Sequence, residues 1–306
     1  MDYDLCKQFS ELRKYYPDEL GTSSEHDFHQ NGNIKDYCPN GDAGNRCETE
    51  PDKIKAGCLW LFEQLFLENK KNTNTVQYII TWLSYKLNQK TYNEINNLND
   101  FYNKCIKDNT HYINCKQGSQ DCSTSLKDNT GYNNYKEIID KRKKLLNINI
   151  ENMSKFYDAF KPLCNMYTEF NANNTHNKKS LENASQFVKK YSELNDPNNT
   201  KDEDYFQVLS KLSNDYNNLK TYCDSNSVDC IDIPSLTQTK TEEIGVGDFE
   251  LSSEVTSSSS SITNKLIPVL SIIVAIPIFL GIFYKYSLFG FRKRTPKQHL
   301  REKLKN

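Results

Sequence analysis

The 306-residue sequence predicts an all-α, disulfide-linked ectodomain on a disordered stalk, with a single C-terminal transmembrane helix. Three observations carry that prediction. Apolar residues recur at helical spacing through most of residues 1–230, and no long segment alternates with period two. Ten cysteines all precede residue 231. Leu266–Tyr284, LIPVLSIIVAIPIFLGIFY, carries no charge, in a chain of mean hydropathy −0.79.

Eight apolar stripes mark the helices in chain order. Leu5, Phe9, Leu12 and Tyr16 form the first. Ile54, Cys58, Leu61, Phe62, Leu65 and Phe66 form the second, behind a Pro51 suited to a first helical turn. Val76, Ile79, Ile80, Leu83 and Leu87 follow, then Leu98, Phe101, Tyr102 and Cys105. Tyr135, Ile138, Ile139 and Leu145 are the fifth set. The sixth is Met153, Phe156, Tyr157, Phe160, Leu163, Cys164 and Tyr167, where Pro162 is expected to kink the helix. Leu181, Ala184, Phe187, Val188, Tyr191 and Leu194 precede a last set of Tyr205, Leu209, Leu212, Tyr216, Leu219 and Cys223. Turns rich in Asn, Asp and Gly connect them, among them Asn31–Asn33, Gly41–Asn45 and Asn195–Thr200. About 230 residues bury a sufficient core for one domain.

Residues 231–265 change character. Thr237–Thr241 is polar and Ser257–Ser261 is unbroken serine, so this segment lacks the apolar content to fold and reads as a flexible stalk. Residues 266–284 then cross the roughly 30 Å hydrocarbon core as one helix at about 1.5 Å per residue. Pro268 and Pro277 suggest a bend that neighbouring groups can accommodate. The tail, 285–306, holds Lys285, Arg292, Lys293 and Arg294 and four further basic residues against Glu302, a net +7, whereas the preceding chain is net −8. Positive charge beside a span favours the cytoplasmic side, which puts residues 1–265 on the opposite face and the basic tail near anionic lipid heads. MDYDLCKQFSELRKYY has neither the basic start nor the apolar stretch of a secretory signal, so either the span itself targets the chain or an unusual export route is used; the competing reading is a tail-anchored protein with residues 1–265 in the cytoplasm.

The cysteines favour the first topology. Cys6, Cys38, Cys47, Cys58, Cys105, Cys115, Cys122, Cys164, Cys223 and Cys230 are an even set on one side of the span, as disulfides in an oxidising compartment require. Cys38 with Cys47, Cys115 with Cys122 and Cys223 with Cys230 are spaced to close short loops. Cys58, Cys105, Cys164 and Cys223 fall on apolar stripes, either as bridges between helices, the favoured reading, or as small core hydrophobes. Ten cysteines leave the full pairing open.

Little in the sequence points to catalysis, a cofactor or a metal. It has no phosphate-binding or dinucleotide glycine signature, no G-x-S-x-G and no H-E-x-x-H. No C-x-x-C occurs, and His26 and His29, beside Glu25 and Asp27, fit a surface loop better than a metal pair. His111 lies four residues before Cys115, but the nearby cysteines make Cys115 a disulfide candidate rather than a nucleophile. The basic run Lys141–Lys144 closes a predicted helix in an acidic ectodomain, which accounts for it without nucleic acid. N-x-S/T sequons stand at Asn152, Asn173, Asn183 and Asn198, and Asn152 adjoins the core position Met153.

Several blocks resemble the Plasmodium interspersed repeat (PIR) family of malaria parasites, which includes the Cir, Yir and Bir variant antigens. They are Met1-Asp2-Tyr3-Asp4-Leu5-Cys6, Tyr37-Cys38-Pro39, Lys55-Ala56-Gly57-Cys58-Leu59-Trp60-Leu61-Phe62, Trp82-Leu83-Ser84-Tyr85, Ser154-Lys155-Phe156-Tyr157-Asp158-Ala159-Phe160 and Leu163-Cys164-Asn165-Met166-Tyr167. The strongest are Ile276-Pro277-Ile278-Phe279-Leu280-Gly281 and Tyr286-Ser287-Leu288-Phe289-Gly290-Phe291-Arg292-Lys293-Arg294. The resemblance spans essentially the whole chain, except that family tails often run a few basic residues past the point matching Asn306. It implies a multigene, non-enzymatic variant antigen with a helical, disulfide-linked ectodomain, without an ordinary signal peptide, exported or displayed in infected red cells. The expected partners are the lipid bilayer and, at the ectodomain, a host receptor or antibody. The implied roles are antigenic variation, immune evasion or receptor binding, and the alternative is an internal membrane organiser of the infected cell. On that reading variation concentrates in Thr22–Asn33, Lys107–Asp128 and Asn171–Ser180, because surface loops tolerate change that a core does not.

Overall fold

In the computed structural model the described residues are 1–236, apart from 31–32, 42–43, 93, 119, 174–177 and 226–232. The expected span at Leu266–Tyr284, the basic residues Lys285, Arg292, Lys293 and Arg294, and most of the stalk lie outside them. No helix among the described residues is long and apolar enough to cross a membrane.

Helix α1 (Tyr3–Tyr15) starts where Asp2 accepts the Leu5 N–H at 3.0 Å, and it buries Leu5, Cys6, Phe9 and Leu12. Helix α2 (Glu50–Phe62) is capped by Thr49 and holds Pro51 in its first turn, as expected. At its end the helix widens into a π-turn, Glu63–Glu68, which carries the stripe on to Leu65 and Phe66. Helix α3 (Val76–Asn88) is buried on nearly every side, the mark of a central helix. The fourth stripe is α4 (Leu98–Phe101) continued by a second π-turn, Tyr102–Ile106.

Two short helices, α5 (Thr110–Ile113) and α6 (Ser123–Thr130), surround a hairpin that the sequence pattern does not announce. Helix α6 ends at Gly131, whose φ of +81° is the left-handed conformation that glycine adopts without penalty. Helix α7 (Tyr135–Asp140) opens with a reciprocal cap. Asn134 accepts from Glu137 N, and Glu137 Oε2 accepts from Asn133 N, both at 2.9 Å. The fifth stripe breaks here, because Leu145 sits on a separate 3₁₀ turn, Lys143–Asn147.

Helix α8 (Ile150–Asn173) is the scaffold and runs through Pro162 without ending. It packs against α3, α9 (Lys178–Leu194) and α1, and α10 (Glu203–Ser225) closes the bundle. Phe160 sits in the middle, edge-on to Phe9 and stacked on Tyr78 with ring centroids 4.6 Å apart. Beyond α10 the chain returns to the bundle. Ile233 is buried, Tyr216 donates to the Pro234 carbonyl at 2.6 Å, and Lys220 reaches Ser235 Oγ at 2.7 Å. Leu236 also packs against the core, so residues 233–236, at the start of the expected stalk, lie on the bundle. Ile233 and Leu236 are the apolar residues that hold this stretch there.

Two buried groups show how closely the helices pack. Lys86, on α3, donates to the Pro17 and Asp18 carbonyls at 2.6 and 2.9 Å and lies 3.7 Å from the Tyr16 ring centroid, so it ties down the end of α1, while burial pulls its ammonium down to about 8. Gly57, on α2, faces Trp82 so closely that a Cβ there would stand 2.8 Å from the indole edge. Gly57→Ala should therefore destabilise the domain by about 1–3 kcal/mol through overpacking, despite the roughly 1 kcal/mol alanine gains in a helix. Urea unfolding measures this, and a more stable alanine variant would show that the indole yields freely.

Candidate interaction surface

Three disulfides are present among the described residues. Cys6 bonds Cys164 and so joins α1 to α8. Cys38–Cys47 closes a hairpin of β1 (Asn40–Gly41) and β2 (Gly44–Asn45), and Cys115–Cys122 closes one of β3 (Lys116–Gln117) and β4 (Gln120–Asp121). The sequence spacing singled out both short bridges. Cys58 and Cys105 depart from the expected pairing and carry free thiols. Cys58 is buried in α2 beside the Tyr112 hydroxyl and packs as a small hydrophobe, and burial pushes both thiols up, which suppresses their reactivity near neutral pH. The Cys223 side chain and Cys230 lie outside the described residues.

The other residues noted in the sequence separate in space. His29 Nε2 accepts from Cys47 N at 3.1 Å, whereas His26 packs against Tyr15. Among the described residues no three His, Cys, Asp or Glu side chains converge as a metal site would require. The Cys115 sulfur is bonded to Cys122 and offers His111 no thiol. Lys141–Lys144 lies at the end of α7, with Lys143 4.9 Å from the Tyr102 ring centroid. Asn183 is buried and donates to Glu169, which leaves no room for a glycan, while Asn198 is exposed in a turn. Asn152 is part-buried and donates to Asn199, and the side chain of Asn173 lies outside the described residues.

A pairing the sequence stripes do not reveal joins the turn before the first hairpin to the second hairpin. A cavity of about 330 Å³ lies between the 3₁₀ turn Ile34–Tyr37 that precedes the first hairpin and the second hairpin, lined by Asn33, Asp36 and Tyr37 from the first side, by His111, Lys116, Gln117 and Gly118 from the other, and by Glu63. Glu63 is 2% exposed. Its carboxylate accepts from Tyr37 OH at 2.6 Å, Asn33 Nδ2 at 3.2 Å and Gln117 Nε2 at 3.2 Å, and Gln117 also reaches Glu68. The His111 ring stands edge-on to Tyr37, 5.6 Å between centroids. Burial, then Lys55 and Lys116, hold His111 below its ordinary value and keep it neutral near pH 7. Glu63 is raised, with burial the largest cause and Glu68 adding to it against the three donors. The Tyr135 hydroxyl, also raised by burial and by the charges of Glu63 and Glu68, is buried nearby without a protein hydrogen-bond partner. The signal in the sequence was a glutamate inside LWLFEQLF, at the junction where α2 opens into its π-turn.

The raised carboxyl fixes a pH dependence. Folded Glu63 keeps its proton to higher pH than the unfolded residue near 4.5, so its contribution to stability is full below that value and is lost as pH rises through the folded pKa. Glu63→Gln keeps the size and removes the titration. It should match the parent near pH 4 and be the more stable of the two near neutrality, and thermal melts across that range check the sign. A constant difference at all pH values would refute it.

The comparisons agree with the geometry. A family model described as "Plasmodium variant antigen protein Cir/Yir/Bir" matches residues 6–285. A solved structure titled "Structure of a Plasmodium PIR protein ectodomain" is similar at 33% identity and a TM-score of 0.57, covering 78% of this chain and 98% of that one. No curated protein matches.

Proposed function

The chain belongs to the Plasmodium Cir/Yir/Bir variant antigen family, and on that premise we propose that it is a non-catalytic, membrane-anchored antigen displayed on infected red cells. The observation that supports the reading is the division of labour in the domain. A closed helical core carries two hairpins, each pinned by a disulfide at its base, whose strand residues Gly44, Asn45, Lys116, Gln117, Gln120 and Asp121 are exposed. Such loops can change sequence without disturbing the helices, which is what antigenic variation and immune evasion demand. A host receptor or antibody would meet this surface, with Leu266–Tyr284 in the bilayer and the basic tail in the cytoplasm.

An antibody against residues 1–230, applied to intact and to permeabilised infected cells, tests the placement. Staining of intact cells is the expected result. Staining only after permeabilisation would overturn display and leave an internal membrane organiser as the function.

A further inference from the structure

We propose that the cavity over Glu63, between the Ile34–Tyr37 turn and the second hairpin, binds an organic cation, an alkylammonium or guanidinium group, with the Glu63 carboxylate as its counter-charge. The inference stands on the cavity alone and needs no assumption about where the protein is displayed. Among the described residues three acids are almost wholly buried: Asp18, Glu63 and Asp215. Two of them hold a cation of the chain, Lys161 at 2.9 Å from Asp18 and Lys211 at 2.5 Å from Asp215. Glu63 makes no such ion pair; the three groups that donate to it are neutral, and it faces a cavity. A buried charge without a counter-charge is costly, and an incoming cation removes that cost.

The walls suit such a ligand. Tyr37 and His111 offer aromatic surface, and Tyr37 OH holds the carboxylate in place. The charged groups facing Glu63 are Asp36, which favours a cation, and Lys116, which opposes one from the same wall; His111 is neutral, and Glu68 adds negative charge through Gln117. About 330 Å³ admits a side-chain-sized amine or guanidine. The π-turn that begins at Glu63 is an irregularity of the kind often found at binding sites.

The full-length chain in detergent would be titrated calorimetrically with spermidine, with Nα-acetyl-argininamide and with the uncharged Nα-acetyl-norleucinamide. Saturable one-to-one binding of either cation, absent for the neutral analogue, is expected. Preference for spermidine would assign the site to a free polyamine, and preference for the argininamide to a basic side chain of a partner. Glu63→Gln, checked for an intact fold by circular dichroism, should weaken binding by roughly thirtyfold or more, as loss of a buried charge partner does. Lys116→Met should tighten it. Equal binding by parent and Glu63→Gln would overturn the proposal, as would no saturable binding to the parent, whether Lys116→Met then binds, which would mean that Lys116 itself neutralises Glu63, or not.

Discussion

Replacing Cys6 and Cys164 together by alanine should cost this domain up to about 5 kcal/mol, the largest loss of any of its three described bridges. The bond closes a loop of 158 residues, and in the chain-entropy model a loop of that length constrains the unfolded state by roughly 5 kcal/mol. Cys38–Cys47 and Cys115–Cys122 span 9 and 7 residues, for which the same relation gives about 2.5 kcal/mol each. All six sulfurs are buried, so the contrast rests on loop length and on what each bridge joins: the long one ties α1 to α8, the short ones only the base of a hairpin. The short bridges hold hairpins whose loss leaves the helical core standing. Urea unfolding of the three alanine pairs gives the order directly. Equal losses would mean that the unfolded chain is held compact by other contacts.

The parts of the fold that were legible in the sequence are those decided by local periodicity. Stripes such as Leu5-Phe9-Leu12 and Met153-Phe156-Phe160 bury the residues they nominate, because a long amphipathic helix has one apolar face and one place to put it. Helix α6 escaped because SerThrSerLeuLysAspAsnThr buries only Leu126, so it offers no stripe to read. The pair Tyr135 and Leu145 read as one helix, but Asp140 ends α7 and the basic run beyond it turns the chain into a 3₁₀ segment. Short cysteine spacings predicted their own partners, since a few residues of chain leave a thiol little else to meet. Cys6 and Cys164 could be matched only once α1 and α8 had been packed together, and Cys58 and Cys105 satisfied the pattern of a bridge without making one. Glu63 was the least legible of all. Its meaning depends on Tyr37 and Gln117, which a 3₁₀ turn and a hairpin distant in the chain bring to it.

Asp215→Ala should destabilise the domain by about 3–5 kcal/mol, the range expected when one partner of a buried ion pair is removed. Asp215 is 1% exposed on α10, and its carboxylate gathers groups from three parts of the fold. Tyr78, on α3, donates to Oδ2, Lys211 lies at 2.5 Å, and the Met1 ammonium donates to Oδ1 at 2.8 Å. The Asp215 carbonyl also accepts from Tyr167, on α8, at 2.8 Å. Burial, reinforced by the Asp215 charge, raises the Tyr78 hydroxyl far above its ordinary range, so it stays protonated and donates at any physiological pH. Removing the carboxylate would leave the buried Tyr78 hydroxyl and the partly buried Met1 ammonium without their acceptor. Tyr78→Phe removes only one donor and keeps the ring stacked on Phe160, so its loss should be smaller, about 1–3 kcal/mol. Because the two residues are in contact, the double variant should fall short of the sum by about 0.5–3 kcal/mol. Strict additivity would show that Asp215 stabilises the fold through its cations alone, and Asp215→Asn, which keeps an acceptor for Tyr78 while giving up the charge, would then be as damaging as alanine.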